Sequence, residues 1–98
     1  MSQILTRLRP PLGLYRVSGT SMLPTYQPGD TLLGLRWFRP RPGQVVVVNL
    51  DKPLIKRIVK ISGPDIYIQG DNSAASTDSR HFGPVQRTAL EARIILKI

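Results

Sequence analysis

Nine prolines and eight glycines are spread through 98 residues, and that punctuation limits the chain to short elements joined by tight turns. Pro28-Gly29-Asp30, Pro40-Arg41-Pro42-Gly43, Ser62-Gly63-Pro64-Asp65 and Gly83-Pro84 each set a residue of fixed φ beside a permissive one, which is the chemistry of a turn. The intervening runs, at 14–17, 31–35, 44–50, 54–61, 65–69 and 92–98, are short and β-like, and no window keeps a helical period beyond a couple of turns. The pattern predicts an all-β domain. Val45-Val46-Val47-Val48 has no polar alternate, so it predicts a strand covered on both faces at the centre of a small closed or folded-over antiparallel sheet.

A chain of this length makes one domain with a thin core. Residues 14–98 form its body, and residues 1–13 a strap in which Ile4, Leu5 and Leu8 make one apolar face ahead of Pro10-Pro11. Arg7 and Arg9 on that strap can reach lipid headgroups, which sets the limit of any membrane contact at a peripheral one. No stretch approaches the ~20 apolar residues of a membrane span, and residues 1–9 lack the apolar region and cleavage site of a secretory signal. With no cysteine the chain has no disulfide framework, thiolate nucleophile or cysteine-bound metal. These features suit the cytosol, a peripheral membrane position being the alternative. The net charge of +8 admits nucleic acid, an anionic surface or an acidic partner. It is scattered from Arg7 to Lys97, however, as on a solvated surface.

Three segments carry candidate chemistry. Ser18-Gly19-Thr20-Ser21-Met22-Leu23-Pro24-Thr25 sets hydroxyls on a bend that Gly19 permits and that Met22 and Pro24 can anchor, where a backbone N–H can face a developing oxyanion. In Leu54-Ile55-Lys56-Arg57-Ile58-Val59-Lys60-Ile61, strand alternation turns Lys56 to the same side as Leu54 and Ile58. Desolvation there disfavours the ammonium and brings the amine toward the ~7–8 that a base working near neutrality needs. The competing reading is an exposed basic stripe of Lys56, Arg57 and Lys60. The segment from Gly70 to Val85 is too polar for a core strand and reads as a loop ordered by its own hydrogen bonds, with Asp78 and Arg80 paired and Asp71 and Asn72 capping turns. Ser73, Ser76, Thr77 and Ser79 are hydroxyls able to hold a lysine amine. His81 is the sole histidine, so any Ser-His-Asp triad has to use it with Asp71 or Asp78. No phosphate cradle, metal-ligand spacing or paired glutamate appears. The sequence therefore calls for no cofactor and no metal.

Taken together and in order, these segments resemble the signal-peptidase family of serine proteases. Gly19-Thr20-Ser21-Met22-Leu23-Pro24-Thr25 is similar to its serine box, Lys56-Arg57-Ile58-Val59 to its lysine box, and Gly70-Asp71-Asn72, Ser76-Thr77-Asp78-Ser79-Arg80 and Gly83-Pro84-Val85 to its third box. The resemblance runs from Val17 to Val85. It implies the folded-over sheet shared by signal peptidase and LexA-type catalytic domains, without a transmembrane helix. It also implies Ser21 as nucleophile and Lys56 as general base. Ser76 would orient the lysine amine, Asp78 and Arg80 would form a supporting ion pair, and the Ser21 N–H would be one oxyanion donor. Some members add a serine hydroxyl two positions before the nucleophile, where this chain has Gly19.

Only residues 58–69 separate Lys56-Arg57 from Gly70-Asp71-Asn72, so the chain resembles a stripped catalytic domain. Within the family it looks most like the proteases that mature nickel-type superoxide dismutase, through a Gly-Asp-Asn-x-Ala-Ala-Ser-Thr-Asp-Ser-Arg-x-Phe-Gly-Pro-Val loop. That resemblance implies an N-terminal propeptide, bound extended, as substrate. A general signal peptidase acting on exported preproteins is the alternative within the family. LexA-type self-cleavage would need an Ala-Gly pair ahead of the serine, which this sequence lacks. From another class, a basic β-barrel binding nucleic acid would call for clustered aromatics, and only Trp37-Phe38 are adjacent.

Overall fold

The computed structural model describes residues 10–98. Six strands form one antiparallel sheet: β1 (Leu12–Arg16), β2 (Thr31–Leu35), β3 (Val45–Asn49), β4 (Pro53–Ser62), β5 (Asp65–Gln69) and β6 (Leu90–Lys97). Their spatial order is β1-β2-β6-β3-β4-β5. A single short helix, α1 (Ser79–Phe82), and two 3₁₀ turns at Ser73–Ala75 and Arg87–Ala89 complete the described elements. The chain is thus all-β, and no described helix is long and apolar enough to cross a membrane.

The four valines explain the architecture. β3 lies between β6 and β4, and Val45 to Val48 are all buried. Because alternate side chains leave a strand on opposite faces, the run serves two cores at once. Val45 and Val47 join Val17, Met22, Leu32, Ala92 and Ile94. Val46 and Val48 join Ile58, Ile66, Ile68, Val85 and Leu90. Each such side chain, fully buried, contributes about 1.5–3 kcal/mol, so this one strand does much to hold both cores together.

Three register shifts, at Leu33/Gly34, Val47/Val48 and Ile58/Lys60, bend the strands, since a bulge kinks its strand and increases local twist. They let the sheet fold over both cores. The ten-residue β4 is shared between two neighbours. Its first half pairs with β3 from Pro53 to Arg57, and its second half pairs with β5 from Arg57 onward. Pro53 opens the strand, the position where a missing N–H costs least. β1 begins at Leu12, so Leu12 and Gly13 belong to the sheet and not to the leading strap that the sequence suggests. The part of that strap in residues 1–9, with Ile4, Leu5, Leu8, Arg7 and Arg9, lies outside the described residues.

Candidate active site

The segment 17–30 between β1 and β2 is closed by its own backbone. Val17 N–H donates to Asp30 O and Gly29 N–H to Val17 O, each at 2.9 Å. Inside it Gly19 has φ of +77°, a conformation most side chains resist, and this turns the chain so that Ser21 follows on a bend. Met22 is 1 % exposed and anchors the bend in the first core. Pro24, expected to be a second anchor, is exposed. Tyr26 packs against the core in its place, because its larger ring reaches the core from the next turn. Asn72 makes the decisive tie across the molecule: its N–H donates to Ser21 O at 2.8 Å and its side-chain amide to Thr20 O at 3.1 Å.

Lys56 is 3 % exposed and its Nζ donates to Ser76 Oγ at 2.8 Å. Ser76 Oγ in turn donates to Asp78 Oδ2 at 2.5 Å and accepts from Gly70 N–H at 3.2 Å. Asp78 is fully buried. Its carboxylate accepts from Gly70 N–H at 2.8 Å, from Arg80 Nε at 2.9 Å and from a second Arg80 guanidinium nitrogen at 2.6 Å. The same side chain accepts from the Arg80 N–H and caps α1, while His81 Nδ1 accepts from the Asp78 N–H in a reciprocal capping box. The lone histidine is thus used in a helix cap. Of the four loop hydroxyls, Ser76 meets the amine, whereas Ser79 Oγ accepts from Ile68 N–H.

Burial pushes the Lys56 ammonium below the value of a free lysine. The Asp78 carboxylate acts in the opposite direction and Arg80 adds to the lowering. Burial by itself would raise the Asp78 carboxyl, but the Arg80 guanidinium, the Ser76 hydroxyl and two backbone N–H groups overcome it and hold the acid well below the usual carboxylate range. Hydrogen bonds to the charged form produce that outcome.

The basic stripe does not form. Arg57 is clamped by Asp71 through two bonds of 2.9 Å, Lys56 is buried, and Lys60 lies over the Tyr67 ring at 5.4 Å. Asp71 also accepts from Thr25 Oγ1 at 2.5 Å. The cap roles expected for Asp71 and Asn72 are therefore not what these side chains do: Asp71 serves the Arg57 clamp, and Asn72 has no side-chain cap bond on its 3₁₀ turn. Neither the clamp nor the Asn72 tie follows from the sequence pattern. A signal for the first exists in the register, since Arg57 faces Gln69, two residues short of Asp71.

A cavity of about 430 Å³ lies between residues 14–19 on one side and 52–56 on the other, with Ser21, Met22 and Val47 also lining it. Ser21 and Lys56 thus border one space. Among the described residues, β1 pairs only with β2, and the pairing of β4 with β5 starts only at Arg57, so each wall offers an unpaired strand edge. The β1 wall is fixed from behind by Glu91. It accepts from Tyr15 Oη at 2.9 Å, Arg36 Nε at 3.2 Å and Asn49 Nδ2 at 2.9 Å, while Arg36 also donates to Pro10 O and Leu12 O. Trp37 is exposed. Phe38 turns toward the second core, beneath the Arg87 guanidinium at 5.0 Å, so the adjacent aromatics do not form one stacking platform.

A buried lysine and a serine border one cavity flanked by free strand edges. Residues 2–95 match the Peptidase S24-like family, and the chain belongs to that peptidase family. It is 54 % identical over 33 residues to the mitochondrial ATP-independent inner membrane protease subunit 1a of Arabidopsis thaliana, covering 34 % of this chain and 20 % of that one. To the mitochondrial inner membrane protease subunit 1 of Xenopus tropicalis it is 34 % identical over 56 residues, 57 % of this chain and 34 % of the relative. The Schizosaccharomyces pombe subunit 1 is 29 % identical over 109 residues, 83 % of this chain and 69 % of the relative. The chain spans about a fifth and a third of the lengths of the first two.

Proposed function

We propose that this chain is a serine endopeptidase in which Ser21 is the nucleophile and Lys56 its general base. The observation that carries the reading is the buried Lys56 amine, lowered by desolvation and held by Ser76, on the same cavity as Ser21. The neutral amine takes the Ser21 proton as Oγ bonds to the scissile carbonyl carbon, and the Ser21 N–H stabilises the oxyanion. The C–N bond then breaks and the proton passes from Lys56 to the departing amine. Water, deprotonated by Lys56, attacks the acyl-serine ester. The acid product leaves and Ser21 regains its proton.

An extended peptide suits the two unpaired edges, which offer main-chain hydrogen bonds along the cavity. The substrate suggested by the loop at Gly70 to Val85 is the N-terminal propeptide of a nickel-type superoxide dismutase precursor. The kinship to mitochondrial inner membrane proteases supports a peptidase in general, and a broader preprotein substrate is the second reading. The test is cleavage by purified protein. Ser21→Ala and Lys56→Met should each abolish it, and the double variant should be no worse than either single one, as for residues acting as a unit. Full activity in a folded Lys56→Met variant would overturn the dyad. A wild-type chain that ignores the dismutase precursor but cuts exported preproteins would replace the first substrate by the second.

A further inference from the structure

A second cavity, of about 490 Å³, lies among Leu50, Asp51, Lys52, Leu54, Lys56, Thr77 and Phe82. It shares Lys52, Leu54 and Lys56 with the Ser21 cavity, but Ser21 does not line it. Two of its residues, Leu50 and Phe82, are each 43 % exposed, so large apolar side chains stand at its border without cover.

The chemistry of the proposed dyad sorts the two spaces. In acyl transfer to Ser21 the half of the substrate ahead of the cut stays bonded to Ser21 Oγ, so it belongs in the cavity that Ser21 lines. The half after the cut departs as an amine whose last proton comes from Lys56, so it must lead away from Lys56 without passing Ser21. We infer that the second cavity receives the residues immediately after the cleaved bond and favours an apolar side chain there, held by Leu50, Leu54 and Phe82. This inference rests on the Ser21/Lys56 reading. Lys56 is where the two halves of the substrate part, because it borders both spaces.

The experiment uses two substrates with the same residues ahead of the cut. One ends at the cut in an aryl amide; the other continues for four residues, the first leucine or serine. Leu50→Ser and Phe82→Ser are the variants, chosen because both side chains are already half exposed. The wild type should prefer the leucine peptide over the serine peptide by about tenfold, the worth of an apolar contact in a specificity pocket. Each variant should lower that preference severalfold and leave aryl amide cleavage within about twofold of wild type, and the amide also reports whether the site is intact. Unchanged peptide preference in both variants, or an equal loss on both substrates, would overturn the inference. A wild-type chain that cleaves the amide no faster than Ser21→Ala would instead sink the peptidase reading, and the inference with it.

Discussion

Ser76 Oγ accepts a hydrogen bond from Lys56 Nζ over 2.8 Å, and the direction of that bond is set by a third residue. The hydroxyl has one proton, and it is committed to Asp78 Oδ2 at 2.5 Å. What remains toward Lys56 is lone-pair density, so the amine donates one N–H to Ser76. Ser76→Ala removes this orientation while Lys56 stays buried. We expect kcat to fall by about 10- to 100-fold, the cost of a misaligned catalytic group, with KM nearly unchanged. Stability should drop by about 1–3 kcal/mol because buried polar partners lose a bond. Steady-state kinetics alongside urea unfolding separates the two effects, and a rise in KM with constant kcat would contradict the orienting role.

The charges around Lys56 predict opposite displacements of the pH profile. In the proposed dyad only the neutral amine accepts a proton, so activity should rise with pH through the Lys56 titration. Asp78 raises the Lys56 value and Arg80 lowers it. Arg80→Gln should therefore move the rising limb to higher pH, and Asp78→Asn should move it to lower pH. The measurement is kcat/KM against pH for each folded variant. Shifts in the same direction for both would show that the limb belongs to another group.

The same burial leaves a mark on folding. Lys56 has a lower value in the folded chain than the ~10.4 of an unfolded lysine, so between those two values the unfolded state binds more protons and stability rises with pH. Below the folded value the burial cost is present in full, and above the unfolded value it is gone. Lys56→Met keeps the apolar stem without the charge. It should unfold at higher denaturant concentration than wild type at pH 7, and the difference should narrow as pH is raised toward 11. A variant that is less stable at pH 7 would mean that the Ser76 bond outweighs desolvation.

The unbroken valine run of β3 and the placement of turns are local properties, and the sequence alone makes them legible. The same holds for the Asp78–Arg80 pair, two residues apart; for Lys56 the strand period fits a buried amine and an exposed basic stripe alike, and the fold selects burial. Other features depend on approaches that no local period records. Strict alternation would put Lys60 on the same side as Lys56, but the bulge between Ile58 and Lys60 breaks the period and leaves Lys60 exposed. Asn72 meets Thr20 across 52 positions and Tyr15 meets Glu91 across 76. Residue type shows that such groups need partners when buried, and the fold decides which partners arrive.

Gly70 is where the serine bend and the Asp78 network come closest. Its N–H donates to both Ser76 Oγ and Asp78 Oδ2, and it has no side chain because none fits. A Cβ at 70 would stand 2.6 Å from Ser21 O and 2.7 Å from Ser76 Cβ, below the 3.0 Å that such contacts respect. Both neighbours are fixed, one being backbone held by Asn72 and the other the root of a buried side chain, so neither yields by rotating. Gly70→Ala must therefore push the Ser21 bend away from the Lys56–Ser76–Asp78 chain. A displacement approaching 1 Å costs about 100-fold in rate, and overpacking of this kind costs about 1–3 kcal/mol. Gly63→Ala is the control: Gly63 has φ of +58° with open space around it, so alanine there loses about 1–2 kcal/mol of backbone preference and should leave kcat unchanged. Two variants of similar stability but very different kcat would locate the constraint at Gly70, whereas equal activity would show that the bend tolerates displacement.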